Sequence, residues 1–187
     1  TYTPERNRAT DTTRVHLLNK LSYEYRRSKP EKTKSYAEEA LAASKKIGFK
    51  KGVARSFNNI GIFYRYQGNY DKAIDHYLRS LKIYEELDDK KGIAAILNNI
   101  GSIYYYQGNY DKAIDYYLRS LKINEELGDK KGIATSLNSI GLVYYEQSNY
   151  NKAIDHYLRS LKIKEEIGDK KGIAGSLNNI GRVYYYQ

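Results

Sequence analysis

The chain has no cysteine, no methionine and no tryptophan, and only two prolines in 187 residues. Without cysteine there is no disulfide frame, no thiol nucleophile and no thiolate metal site, and the redox compartment leaves no trace in the sequence. No apolar run approaches the ~20 residues that cross a bilayer, and the opening TYTPERNRATD has neither the charged front nor the apolar centre of a signal peptide. The compartment of this soluble chain is therefore not legible. Histidine is also scarce, limited to His16, His76 and His156. Glycine occurs as IG and KKG punctuation, outside the strand-turn-helix setting of a phosphate loop. No catalytic residue, metal site or cofactor is expected, and the chain does not read as an enzyme. What is abundant is helix-compatible: 41% apolar residues, 29% charged residues and 22 tyrosines. That balance supports one continuous core in a mostly helical protein.

The formal net charge is +10, but it is unevenly spread. Residues 1–55 hold fourteen Lys/Arg against six Asp/Glu, and residues 56–187 hold eighteen against sixteen. In the later part, as in DKAIDHYLRSLKIYEEL, acids and bases alternate at helical spacing, the pattern of a solvated, salt-bridged helix face. Nucleic-acid binding is not expected from such a distribution; it would have to rest on the basic first quarter.

The decisive feature is internal repetition. QGNYDKAIDHYLRSLKIYEELDDKKGIA, beginning at Gln67, returns from Gln107 with three of 28 positions changed and again from Gln147, a period of 40 residues. The units run roughly over residues 11–49, 50–89, 90–129 and 130–169, with a partial copy at 170–187. They form one domain over 1–187, about nine helices in four and a half repeats. Because the sequence opens on Thr1, lacks methionine and stops inside a copy, it reads as a piece of a longer protein. Within each unit apolar or small residues recur at i, i+3, i+4 and i+7, as at Phe57, Ile60, Gly61 and Tyr64 and then at Ala73, Tyr77, Ser80 and Leu81. This predicts two amphipathic helices. Gly68 and Gly108 are placed to end first helices, and Gly48, Gly128 and Gly168 second helices. Asn69, Asn109, Asn149, Asp89, Asp129 and Asp169 are placed to cap the next helix. Neither helix of a pair can bury its apolar face alone, so the pairs must stack.

Phe57, Ile60, Gly61, Tyr64, Gly68, Tyr70, Ala73, Tyr77 and Ser80, with their copies from Leu97 to Ser120 and from Leu137 to Ser160, resemble the tetratricopeptide repeat (TPR). The period is 40 rather than ~34, and Glu85, Glu125 and Glu165 stand where a proline often ends the second helix. The resemblance implies an all-α, right-handed α-solenoid of helix-turn-helix units whose first helices line a concave groove. The wording of the repeats looks like the sensory or regulatory region of bacterial signalling proteins. An extended peptide or protein segment is then the expected partner.

On a helical wheel the side opposite the packed face carries Arg55, Asn59, Ile62 and Tyr66, then Ala95, Asn99, Ser102 and Tyr106. It continues through Thr135, Ser139, Leu142 and Glu146 to Gly175, Asn179, Arg182 and Tyr186. A one-residue deletion in the first unit brings His16, Lys20, Tyr23 and Arg27 into the row. The expected peptide-binding residues are Lys20, Arg55, Asn59, Ile62, Tyr66, Asn99, Ser102, Tyr106, Leu142, Asn179, Arg182 and Tyr186. Asparagine amides can pair with a peptide main chain without reading its side chains, and tyrosines supply rigid amphipathic contact area.

Each of these features has a plainer reading. A second asparagine row, Asn19, Asn58, Asn98, Asn138 and Asn178, suits hydrogen bonds between adjacent first helices. The groove tyrosines either meet a ligand or simply cover the interior of the solenoid. Lys20, Arg27 and Arg55 either grip carboxylates or are solvated charge. The carboxylate clamp of chaperone-binding relatives is matched only in part, since Ala95 and Asn99 stand where further cations belong. His76 and His156 share a position read as outward and filled by Tyr116 in the copy between them. The Glu85/Glu86, Glu125/Glu126 and Glu165/Glu166 pairs are offset by Lys82, Lys122 and Lys162 more simply than by a metal. The rival reading is an assembly scaffold. There Ile173, Leu177, Ile180 and Tyr184 stay partly bare on the last helix and join copies of the chain into a homo-oligomer.

Overall fold

The computed structural model describes residues 4–186, with side chains from residue 11 onward. Residues 1–3, and Gln187 at the end of the partial copy, lie outside the described residues. Among the described residues there are nine α-helices and no strand. They are α1 (Pro4–Tyr25), α2 (Pro30–Lys46), α3 (Lys50–Tyr66), α4 (Tyr70–Glu86), α5 (Lys90–Tyr106), α6 (Tyr110–Glu126), α7 (Lys130–Glu146), α8 (Tyr150–Glu166) and α9 (Lys170–Tyr186). From α2 onward every helix has 17 residues and is joined to the next by a three-residue turn, whereas four residues separate α1 from α2. Two helices and two turns account for the 40-residue period. Contacts divide the chain into two compact units, Thr1–Asp89 and Lys90–Gln187.

In the first unit, α2 opens on Pro30, whose fixed φ suits a first helical position. After α3 the Asn69 N–H donates to the Tyr64 carbonyl at 2.9 Å and the Gly68 N–H to the Arg65 carbonyl at 3.0 Å. Gly68 is left-handed, with φ +70°. This closes the carbonyl end of α3, and Asn69 Oδ1 then accepts from the Lys72 N–H at 3.2 Å to open α4. The expected caps and stops are therefore observed at this turn. Val15, Leu18, Ala37, Ala40, Ala54, Ile60, Phe63, Ala73 and Tyr77 form the buried interior. The Tyr77 ring lies 2.6 Å from where a Cβ on Gly61 would stand, so glycine sets the approach of α4 to α3. One turn further along, Ser80 Oγ donates to the Ala54 carbonyl at 2.8 Å.

The second unit repeats these devices. Tyr117 lies over Gly101 and Tyr157 over Gly141, each 2.8 Å from the Cβ position. Ser120 and Ser160 donate to the carbonyls of Ala94 and Ala134 at 2.8 and 2.7 Å. Asn109, Asn149, Asp129 and Asp169 cap α6, α8, α7 and α9. Gly108, Gly128 and Gly168 hold φ between +63° and +72°, and Ser148 adopts the same left-handed form at +57°. Leu121, Leu137, Ile140 and Val143 fill one core, and Ala153, Tyr157, Ile180 and Val183 another. On α9, Leu177 is 54% and Tyr184 64% exposed.

Two readings of individual side chains are corrected. His76 and His156 are half-buried rather than outward: their rings stack on Tyr64 and Tyr144 at 5.4 Å, as Tyr116 stacks on Tyr104. The position requires a flat ring between first and second helix, which both residue types supply. Glu86, Glu126 and Glu166 bond Lys50, Lys90 and Lys130 at 3.2, 3.2 and 2.9 Å. Their bonded partner is thus the start of the first helix of the same pair, which the antiparallel hairpin brings alongside, while a lysine of the same helix acts only through its charge, as Lys162 does on Glu166.

Candidate peptide-binding surface

In the first unit the relevant surface is built from α1 and α3, which pack against each other as well as on α2. Lys20 and Tyr23 are exposed along α1, Arg27 in the turn that follows it, and Arg55 and Tyr66 along α3. At one end Arg55 Nη1 donates to His16 Nδ1 at 3.1 Å, which assigns that ring nitrogen as acceptor. Burial, then the charges of Arg55 and Lys51, hold the His16 pKa below its usual value. At the other end Arg27 Nε donates to the Tyr66 hydroxyl at 3.2 Å. The Arg65 guanidinium lies 4.7 Å from the Tyr66 ring centroid, and that of Arg26 3.7 Å from the Tyr23 centroid. Burial acts to raise the Tyr66 pKa, but the Arg27 hydrogen bond and the charges of Arg65, Arg27 and Arg26 outweigh it and hold the phenol below its ordinary range.

Between these ends the surface is closed. Asn59 is 5% and Ile62 4% exposed. Asn59 Nδ2 donates to the Asn19 carbonyl at 2.9 Å and to Asn19 Oδ1 at 3.1 Å, and the same Oδ1 accepts from Ser56 Oγ at 3.2 Å. Two residues expected to face a ligand are thus part of the packing between first helices, because α1 and α3 approach closely enough for their flanks to meet. The second-row residue Asn19 is the acceptor in this pairing. One row was assigned to ligand and the other to structure, yet the two bond each other.

In the second unit α5, α7 and α9 carry the corresponding positions. Tyr106 and Tyr186 are 54% and 59% exposed, and Asn99, Ser102, Leu142 and Asn179 are half-buried. Asn179 Nδ2 donates to Asn138 Oδ1 at 3.2 Å, the same alliance of rows as in the first unit. Tyr105 donates its hydroxyl to Glu146 Oε1 at 3.1 Å; burial, then this carboxylate, pushes the Tyr105 pKa up. Arg182 lies 4.7 Å from the Tyr145 ring centroid, and Tyr186 meets the same ring edge-on at 6.3 Å. Tyr105 and Tyr145 are thus joined to Glu146 and Arg182 respectively. Arg26 was missing from the expected set; its signal is the Arg26-Arg27 pair in YEYRRSK.

Among the described residues no group of three or more His, Cys, Asp or Glu side chains gathers as a metal site would require. Nor is any helix long and apolar enough to cross a membrane.

The tetratricopeptide repeat family matches residues 15–86, 92–166 and 132–187, whereas no curated protein matches in sequence. Solved structures share the fold at low identity. BtubC from P. vanneervenii is 20% identical at a TM-score of 0.73, with 99% of this chain covering 84% of that one. A Rap protein complexed with Competence and Sporulation Factor is 22% identical at a TM-score of 0.80, with 92% of this chain covering 52% of it. A signal transduction ATPase with a tetratricopeptide repeat sensor from Pyrococcus horikoshii is 21% identical at 0.76, with 94% of this chain covering 28% of it. The chain therefore spans about half of the Rap protein and just over a quarter of the ATPase. With the family pattern running along nearly its whole length and paired helices packed as that pattern requires, the chain belongs to the tetratricopeptide repeat family.

Proposed function

We propose that this chain is a peptide-binding TPR module serving as the sensory or regulatory input region of a signalling protein. The observation that carries the reading is the exposure of a tyrosine at the same first-helix position in three of the repeats. Tyr66, Tyr106 and Tyr186 are 41%, 54% and 59% exposed, whereas Tyr77, Tyr117 and Tyr157 on the second helices are buried. Large aromatics exposed at repeating positions on first helices offer contact area to a ligand, and tyrosine is among the residues that dominate binding hot spots. Arg55, Ser102, Leu142, Glu146 and Arg182 flank them as side chains able to read a ligand, with Asn99 and Asn179 at the half-buried margin. The Rap protein solved with Competence and Sporulation Factor, and the ATPase whose repeats are described as a sensor, support the reading by analogy of fold.

The test is capture from an unbiased peptide library by the wild-type chain and by a Tyr66→Ala/Tyr106→Ala/Tyr186→Ala variant. Loss of enrichment in a variant that melts at the wild-type temperature supports the reading. Equal enrichment, or none with wild type, overturns it. A second reading, assembly through copies of the chain, is favoured by exposed Leu177 and Tyr184 on α9. It predicts a dimer in sedimentation that Leu177→Lys/Tyr184→Lys abolishes.

A further inference from the structure

One face of α9 repeats a surface that is covered elsewhere in the second unit. On α7, where α8 packs, Ala134 and Leu137 are each 1% exposed and Gly141 is buried. On α9 the matching Ala174 and Gly181 are exposed, and Leu177 and Tyr184 are 54% and 64% exposed. The flank of α9 that carries Ile180 and Val183 is packed with Ala153 and Tyr157 of α8.

The way α6 covers α5 and α8 covers α7 defines what such a face receives. Tyr117 and Tyr157 lay their rings over Gly101 and Gly141, 2.8 Å from where a Cβ would stand. One residue earlier a flat ring stacks on the first helix, Tyr116 on Tyr104 and His156 on Tyr144, both at 5.4 Å. Ser120 and Ser160 donate to the Ala94 and Ala134 carbonyls at 2.8 and 2.7 Å, using the second lone pair that a helical carbonyl keeps. Glu126 and Glu166 pair with Lys90 and Lys130 at 3.2 and 2.9 Å. The same four contacts join α4 to α3 in the first unit. On α9 the receiving side of all four is present: Gly181, with nothing within 4 Å of an added Cβ, Tyr184, the Ala174 carbonyl and Lys170.

We propose that this face of α9 is a docking site for one amphipathic helix of a separate polypeptide, carrying Ala-x-x-ring-Tyr-x-x-Ser-x5-Glu, where the ring is His or Tyr. The spacing is that of Ala113, Tyr116, Tyr117, Ser120 and Glu126, and of Ala153, His156, Tyr157, Ser160 and Glu166. As helix it spans about 20 Å, within the 17 residues of α9. A second α9 is a poorer occupant. It would set glycine against glycine, and its one serine, Ser176, is buried and accepts from Lys164 Nζ at 2.8 Å. Ala174, Leu177, Gly181 and Tyr184 lie on the opposite side of the helix from Asn179, Arg182 and Tyr186, so the inference goes beyond the groove reading and does not rest on it.

The test is fluorescence anisotropy of a labelled peptide with the sequence of residues 109–127, NYDKAIDYYLRSLKINEEL, titrated with the whole chain. An isolated helix of this length is marginal in water, so binding should also add helical circular dichroism. The expected result is saturable one-to-one binding, at least tenfold weaker for a scrambled peptide and for the Tyr117→Ala peptide. Gly181→Leu in the chain should weaken binding at least tenfold at an unchanged melting temperature, while library capture that depends on Tyr66, Tyr106 and Tyr186 persists. Lys170→Glu should weaken the wild-type peptide about threefold and be rescued by Glu126→Lys in the peptide, a readout that stands if Gly181→Leu alters stability. Equal binding of the scrambled peptide overturns the proposal, as does binding that neither Gly181→Leu nor the charge exchange affects. A dimer of the chain that Leu177→Lys/Tyr184→Lys abolishes and excess peptide does not dissociate also overturns it, giving the face to a second copy. Loss of library capture alone removes the groove reading and leaves this site standing.

Discussion

The side-chain amide of Asn59 donates to the main-chain carbonyl of Asn19, one repeat earlier, at 2.9 Å. This bond ties α3 to α1 through residues that are 5% and 6% exposed, in a place where water is a poor substitute. Asn59→Ala removes the donor from two acceptors, each of which keeps another partner: the Asn19 carbonyl in the α1 ladder and Asn19 Oδ1 in Ser56. The expected cost is about 0.5–1.5 kcal/mol, read as a lowered midpoint in urea, with Asn59→Asp worse because a carboxylate would face two oxygens. A midpoint unchanged in Asn59→Ala would show that the bond carries no net stability. The prediction also makes Asn59 a poor probe of ligand binding, since its loss loosens the scaffold.

Gly101→Ala should destabilise more than any surface substitution. The added methyl would stand 2.8 Å from two ring atoms of Tyr117, with the Ala113 carbonyl at 3.2 Å, and Tyr117 is itself buried at 3% exposure. Overpacking of this kind costs about 1–3 kcal/mol. By contrast Gly181→Ala, where nothing lies within 4 Å of the added carbon, should be neutral or slightly stabilising through helix propensity. Thermal melts of the two variants side by side give the comparison.

Ser148 occupies the left-handed turn position that is glycine at 68 and 108. A left-handed conformation costs an L-residue about 1–2 kcal/mol, partly offset by the greater freedom glycine loses on folding. Ser148→Gly is therefore expected to stabilise by about 0.5–1 kcal/mol, seen as a rise of about 2 °C in melting temperature. Asp88, at φ +48°, should respond in the same direction.

His76 and His156 provide a pH signature. Burial is the largest influence on each and lowers the pKa. Around His76, Asp75 and Glu38 act against it and Arg79 with it; around His156, Arg159 and Lys152 act with burial and Asp155 against it. The folded protein thus takes up these protons less readily than the unfolded chain, whose histidines titrate near 6.5. Stability should be constant above about pH 7.5 and fall as pH drops through 6.5 toward the lower folded values. His16, also lowered, adds to the slope. His76→Tyr/His156→Tyr, which installs the residue already present at Tyr116, should flatten most of the fall between pH 7.5 and 5.5. A slope unchanged by the double substitution would place its origin elsewhere.

The helix boundaries, caps and left-handed turns were legible because each depends on a few adjacent residues repeated several times: Asn69 and its copies, Gly68 and its copies. The packed face was legible for the same reason, since Ile60, Gly61 and Ala73 mark it by size. Burial of Asn59 and Ile62 was not, because a helical wheel gives direction relative to one partner helix. It does not say how near the next first helix comes. The stacking of His76 on Tyr64 was not legible from histidine itself, whose ring suits an outward or a half-buried place equally; the Tyr116 copy is the one sign that the position accepts a plain aromatic ring. Of the Arg26–Arg27–Arg65–Tyr66 grouping, the helical-wheel row already held Arg27 and Tyr66, whereas Arg26 and Arg65 lie beside that row and were not given by it.

The bonds between a first helix and the second helix that follows it have a consequence for heredity. Lys50–Glu86, Lys90–Glu126 and Lys130–Glu166, Lys51–Asp89 and Lys91–Asp129, and the serine-to-carbonyl bonds from Ser80, Ser120 and Ser160 each fall inside one 40-residue block. A duplicated or deleted block therefore arrives or leaves with these fastenings intact, and the contacts between neighbouring first helices, such as Asn59–Asn19 and Asn179–Asn138, are the ones that must be remade. Near-identical coding copies are prone to misaligned recombination, and this chain's internal bonding makes the products of such events foldable. Array length can thus drift in a lineage by whole blocks, while ligand preference changes through the few positions, such as Arg65, Glu146 and Arg182, at which the copies no longer agree.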